Sequence, residues 1–434
     1  MTEPMELCDA VLQLVDGRAE AAVTATVGAS SLTRFANSFI HQNVGEQVRR
    51  IDLLVAVEGR LASAATTRTD ALRRLVDDTI AAAQLRPVDP DWPGLAPPAP
   101  VPATASYDEA TDHAAPDERA AVARDFVYAA RDLKAAGYCS TSGTAVAFGN
   151  TAGQRAAARV TEAIVDGIHQ TTTSAGSAHR SSSRLGDLDG DVIGSLAVDR
   201  ARRAVDPRDI EPGDYEVVLS PVAVADVVEF LAYYGLNGKA FVEEQSFARI
   251  GEQQFDERIT LVDDVTDRRA VGLCFDAEGT PKRPLVLVRN GVTEAVVHDR
   301  RSARKMEAES TGHANGGGEG PVASNVFLRP GEASAADLVA GMERGLIVTE
   351  LNYTRVLDPK TLVVTGLTRN GTFLVEHGRV VGAVANMRFT QSFVDALGPG
   401  QVRGIGNDGI LVNGATWVPS IHLASWSFTG GARG

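Results

Sequence analysis

Eight histidines are the first residues to weigh for chemistry, because imidazole serves both as a metal ligand and as a proton carrier near neutral pH. They stand at His41, His113, His169, His179, His298, His313, His377 and His422. A helical zinc site of the HExxH kind needs two imidazoles one turn apart, with a glutamate beside the first to activate water. No two of these histidines are three or four residues apart, so the pattern is absent. His169 and His179 flank a Ser/Thr/Gly-rich stretch and meet only if the fold brings them together. The sequence therefore predicts no zinc site of its own.

Other nucleophile and phosphate patterns are equally thin. There is no G-x-x-x-x-G-K-[ST] loop and no G-x-S-x-G elbow, and Ser220, Ser246 and Ser324 carry no marker of a nucleophile. One G-x-G-x-x-G string occurs at Gly404, Gly406 and Gly409, without a strand leading in or a helix leading out. The run Gly312 to Gly320, with Gly316, Gly317 and Gly318 at its centre, lacks the Lys and Ser/Thr that phosphate and magnesium need. It reads as a mobile loop or as backbone able to contact a peptide closely. Cys139 and Cys274 have apolar or strand-like flanks and read as core. The acid pairs Glu243-Glu244 and Asp263-Asp264 point to opposite faces if they lie on strands, which makes poor acid–base machinery.

The bulk numbers bound the answer. At 434 residues the chain exceeds one ordinary core, so two domains are expected. Apolar residues at 44% and charged residues at 23% fit a globular protein. A net charge of -14 repels phosphate backbones and argues against direct nucleic-acid binding. Three distant cysteines, Cys8, Cys139 and Cys274, make no disulfide framework and suit a reducing compartment. The acidic N-terminus does not read as a signal peptide, and no apolar run is long enough to span a bilayer, so a cytoplasmic location without membrane association is expected.

Periodicity then suggests the elements that hold these residues. Helical spacing runs through 3–30 and 68–84, with strands near Phe39-Ile40 and 51–58. A Pro/Ala-rich connection covers 85–110, helix resumes at 113–136, a hairpin strand ends at Gly149-Asn150, and 153–167 reads as a long polar helix. Residues 171–190 read as a surface loop or flap. The first domain, α+β and sandwich-like, is placed at 1–205. The second, at 206–434, is expected to be a mainly antiparallel, barrel-like β domain with inserted helices. It opens with the strand 215–219 and a helix capped by Ser220 with Pro221 at its first position. Short strands follow at 258–262, 284–288, 361–365, 372–376, 379–386 and 417–423. Ser334 with Asp337 resembles a capping box.

Five ordered segments carry a resemblance. They are Leu32 to Asn43 (LTRFANSFIHQN), Ala145 to Gly153, Phe275 to Pro281 with Leu285 to Gly291, Asn325 to Gly331, and Val418 to Ile421. Together they resemble the TldD/PmbA family of bacterial and archaeal peptidase-complex subunits. That resemblance implies a heterodimer of a zinc-bearing TldD-like subunit and a metal-free subunit called TldE or PmbA, enclosing a cleft. The zinc-bearing type carries an H-E-x-x-x-H helix and a later cysteine. The corresponding stretch here is Val228 to Tyr233, in which Glu229 survives while Val228 and Tyr233 stand in the histidine places; no cysteine follows in 404–409.

The resemblance therefore implies a chain without a catalytic residue or cofactor of its own, partnered by a TldD-like subunit that holds Zn²⁺ and acts on peptides or unfolded polypeptides. Family members are also tied to peptide-antibiotic maturation and to DNA gyrase modulation. The expected cleft residues are His313, Gly316, Gly317, Gly318 and Asn325. Two other readings stay open: a homodimeric peptide-binding or regulatory protein, and an independent peptidase with an atypical site.

Overall fold

The computed structural model describes residues 2–103 and 106–431. The chain opens with helix α1 (Thr2–Val15), followed by the antiparallel strands β1 (Glu20–Ala36), β2 (Phe39–Val57) and β3 (Arg60–Thr66). Helices α2 (Leu72–Gln84), α3 (Glu109–Asp112) and α4 (Pro116–Tyr128) come next. The strands β4 (Lys134–Asn150), β5 (Arg155–Gln170) and β6 (Ala175–Ser182) and helix α5 (Gly190–Arg203) complete this half. Its sheet has the order β3-β2-β1-β4-β5-β6, antiparallel throughout.

Strand alternation divides this sheet into two faces with different tasks. Val23, Leu53, Ala147 and Val165 point to the helices: α1 and α2 cover Val23, Leu53 and Ala147, while α4 and α5 cover Val165. Val146, Phe148, Ala156 and Ala158 point the other way and pack against Phe275 of the second half. The helix-free face is thus the one turned toward the rest of the molecule.

Three stretches depart from their sequence expectation. Residues 153–167 form β5, not a polar helix, and 171–190 contain β6, not a free loop. Alanine-rich strands mislead because alanine favours helices locally, yet Ala156, Ala158, Ala163 and Ala178 are small buried side chains on tightly paired strands. The helical pattern at 3–30 likewise ends at Val15, and Ala22 and Val23 belong to β1.

The second half begins with β7 (Gly213–Leu219), α6 (Pro221–Phe230) and α7 (Gly238–Val242). It continues through β8 (Leu261–Asp263), β9 (Leu285–Arg289), β10 (Val292–Thr293), α8 (Arg300–Lys305), β11 (Val326–Leu328) and α9 (Ala335–Ala340). The long hairpin β12 (Arg344–Asp358) and β13 (Val363–Glu376) follows, then β14 (Arg379–Val384), β15 (Met387–Ser392) and α10 (Phe393–Ala396). The chain closes with β16 (Val402–Ile405), β17 (Ile410–Val412), β18 (Thr416–Val418) and β19 (Ile421–Gly431).

The strand pairings are mainly antiparallel, as expected, but the barrel-like closure does not form. These strands divide between two mixed sheets, one ordered β10-β9-β8-β11-β18-β17 and one ordered β12-β7-β19-β15-β13-β14, with β16 on β19 and a further pairing of β12 with β13. β7 with β12 and β11 with β18 run parallel. The physical reason is α6. It touches β7 and β12 of one sheet and β17 and β18 of the other, so its apolar side is buried between them. Val224, Val227, Val228 and Leu231 are each at most 2% exposed, and burial of such side chains contributes ~1.5–3 kcal/mol apiece. A helix between the layers keeps the two sheets apart as separate layers.

Candidate functional site between the two halves

Helix α6 starts where its sequence predicts, with Ser220 in an extended conformation at the N-cap and Pro221 in the first turn, but the Ser220 side chain makes no capping hydrogen bond. Beyond Phe230 it widens into a π turn over Leu231–Gly235, in which Leu236 N–H donates to Leu231 O at 2.8 Å. The three positions singled out on this helix part company. Val228 is 2% exposed and lines an apolar void of about 10 Å³ with Leu219, Val224 and Leu261. Tyr233 lies on the outer side of the π turn, edge-on to Tyr234. Glu229 alone faces a polar interior.

That interior is built from both halves. Asp226 and Glu229, one turn apart on α6, come within electrostatic reach of Glu350 on β12 and His179 on β6, and His179 in turn of Glu162 on β5. Burial, with Glu229 and Glu350 adding negative charge, pushes the Asp226 carboxyl up to about 8. Burial raises Glu229 and Glu162 as well. Glu350 accepts from Ser177 Oγ at 2.8 Å and from Asn370 Nδ2 at 2.9 Å. His179 Nδ1 lies 3.0 Å from Asp166 Oδ2, while its Nε2 accepts the Asn413 N–H at 3.3 Å. That network fixes the tautomer and occupies both ring nitrogens. Glu229 Oε1 accepts from Thr416 Oγ1 at 3.5 Å. Enclosing these acids favours the neutral forms of Asp226, Glu229 and Glu162. Val228, enclosed in hydrocarbon, offers no donor to a zinc ion, and among the described residues no group of three or more His, Cys, Asp or Glu side chains is placed to hold a metal.

A second polar region lies across the helix-free face of the first sheet. A cleft of about 1100 Å³ runs between β1–β4 and the segments 273–282 and 299–324. His313 and Gly316 line it, whereas Gly317 and Gly318 continue the same loop without lining it. Asn325 is 1% exposed beneath the cleft, its Nδ2 donating to Val271 O at 2.9 Å. His313 and Asn325 meet through a shared partner: Asp263 lies 3.0 Å from His313 Nε2 and accepts the backbone N–H groups of Ser324 and Asn325 at 2.8 and 2.9 Å. Burial pushes Asp263 up, but His313, Lys282 and the Asn325 N–H outweigh it and hold the carboxyl down near about 2.

Sequence reasoning did not single out Asp226, Glu350, Glu162, Lys282 or Ser324 as site residues. They meet in two places, Asp226, Glu350 and Glu162 in the first and Lys282 and Ser324 in the second, from segments far apart in the chain that no local pattern links. His179 was hidden by its Ser/Thr/Gly-rich setting, which reads as a loop.

The comparisons with known proteins fit this geometry. The family model for the PmbA/TldA metallopeptidase C-terminal domain matches residues 212–430. The chain belongs to the TldD/PmbA family. Curated TldD/PmbA relatives include a metalloprotease of Methanocaldococcus jannaschii, 25% identical over 46% of this chain and 46% of its own length. A metalloprotease TldD homolog of Haemophilus influenzae is 27% identical over 38% of this chain and 35% of its own. The PmbA homolog of that organism is 25% identical over 47% and 44%. The match thus spans under half the length of these curated relatives. In fold, the crystal structure of TldE from Thermococcus kodakarensis superposes with a TM-score of 0.88 at 18% identity, covering 98% of this chain and 99% of that one.

Proposed function

We propose that this chain is the non-catalytic, metal-free partner of a TldD-like metalloprotease subunit, supplying assembly surface and one wall of a cleft that receives peptides or unfolded polypeptides. One observation carries this reading: Val228, which the resemblance aligns with a zinc-ligand histidine, sits in hydrocarbon, while Glu229 faces a polar interior. The same helix therefore serves as packing between two sheets in this chain, and the TldD-like partner supplies Zn²⁺ and water activation. The cleft bordered by His313 and Gly316 is the peptide-facing surface, with Gly317, Gly318 and Asn325 building the loop and the floor beside it. A TldE-like overall fold supports the pairing. Among the described residues no helix is long and apolar enough to cross a membrane; we place the site of action in the cytoplasm, with the proposed partner. Co-expression with a tagged metal-bearing relative tests the pairing. A stable one-to-one complex on size exclusion is expected; a chain that homodimerises and ignores that relative contradicts it.

A further inference from the structure

We propose that Lys282 and Ser324 form a subsite for the C-terminal carboxylate of a peptide whose last side chain is apolar. This rests on the peptide-cleft reading above and names the ligand end that the cleft takes.

Lys282 is 7% exposed yet lines the 1100 Å³ cleft. An ammonium carries three donors, and its one hydrogen bond here, among the described residues, goes to a neutral hydroxyl, Ser324 Oγ at 2.5 Å. Asp263 and Asp276 lie within electrostatic reach of the ammonium, but neither makes an ion pair with it. Asp263 is turned to His313 and the backbone of 324–325. Asp276 accepts the N–H groups of Glu278, Thr280 and Ala314 at 2.8–2.9 Å. A buried cation without an ion-pair partner is costly, and an incoming anion relieves that cost.

The geometry also selects the anion. Ser324 Oγ accepts from Lys282 and keeps its own proton to donate, so ammonium and hydroxyl together match the two oxygens of one carboxylate. Val146, Phe148, Leu273 and Phe275 form an apolar wall in the same cleft. Asp52 and Asp299 also border it, and the chain's net charge is -14, which disfavours a multiply charged phosphate. A singly charged carboxylate beside an apolar side chain fits all three features.

The test uses the full chain alone and a fluorescein-labelled pentapeptide ending in phenylalanine, as free acid and as C-terminal amide. The acid is expected to bind about tenfold tighter than the amide, the worth of one charge-assisted pair. Lys282→Met is expected to abolish that difference. Ser324→Ala, at an exposed position that leaves the fold intact, is expected to narrow it by about threefold. An amidated peptide carrying an internal glutamate is expected to bind like the plain amide, and inorganic phosphate is expected not to compete. Equal binding of acid and amide, an undiminished preference in Lys282→Met and Ser324→Ala, or displacement by phosphate at matching concentration overturns the proposal. Because no metal-bearing subunit is present, these outcomes are independent of whether the pairing proposed above holds.

Discussion

His313 Nε2 lies 3.0 Å from Asp263 Oδ1, and both side chains are closed off from solvent. The carboxylate also accepts the backbone of Ser324 and Asn325, so one acid fixes the histidine and the segment that carries Lys282's partner. Removing the imidazole takes away the side chain that stands against this buried carboxylate. His313→Ala is expected to lower stability by about 1–3 kcal/mol in urea unfolding, as for a buried polar group left short of a partner. A loss under about 1 kcal/mol would show that the carboxylate does not depend on this histidine.

The acid side of that pair has a pH signature. Asp263 is held near about 2, below the ordinary value of an unfolded aspartate, ~3.9. The unfolded state therefore binds more protons between those values, and the stability contribution, fully present above pH ~4, is lost as pH falls toward 2. Asp263→Asn is expected to flatten the acid limb of a Tm-against-pH curve.

Asp226 gives the opposite slope. Its carboxyl is pushed up to about 8, so between pH ~4 and 8 the folded state holds a proton that the unfolded state has released. Stability from this group falls as pH rises through that window. Asp226→Asn removes the cost of ionising an enclosed acid and is expected to raise Tm by a few degrees at pH 8 while changing little at pH 4. Equal effects at both pH values would contradict the shift.

Helix α6 and the π turn after it predict the outcome of placing histidines at the two positions where the family resemblance would put them. Val228→His inserts a polar ring where the chain has an apolar void of about 10 Å³. The double variant Val228→His/Tyr233→His is expected to lose about 2–4 kcal/mol from overpacking and polar burial and to take up no stoichiometric zinc by metal analysis. Tight zinc binding in that variant would show that the surrounding shell still supports the ion.

The glycine loop separates steric from functional need. A Cβ added at Gly316 or Gly318 meets nothing, whereas Gly312 has φ +77° and a Cβ there would meet Pro281 O at 2.5 Å. Gly316→Ala and Gly318→Ala are expected to cost under ~1 kcal/mol, and Gly312→Ala appreciably more. Deleting residues 316–318 is expected to weaken peptide binding without disturbing assembly; unchanged affinity removes the loop from the cleft's function.

The sequence was legible where chemistry is local. Ser220-Pro221 marks the start of α6, Ser334 with Asp337 forms the capping box of α9, and α2 lies where its apolar spacing places it. The apolar side of α6 was also visible, because valine and leucine at helical steps have one sensible destination. It was illegible where partners are far apart. Alanine-rich β5 reads as helix, since its alternation shows only once β4 pairs with it. The two-sheet arrangement depends on which strands run parallel, and no turn residue encodes that. His179 joins Asp166 and Asn413, and Lys282 joins Ser324, only because distant strands and loops converge.

The central claim is that this chain contributes no catalytic metal. The most direct measurement is zinc content and peptide hydrolysis for the purified chain, for a TldD-like relative, and for their mixture. We predict zinc near one per heterodimer, carried by the relative, with hydrolysis in the mixture and neither metal nor hydrolysis in this chain alone. Stoichiometric zinc together with peptide cleavage by this chain alone would contradict the account.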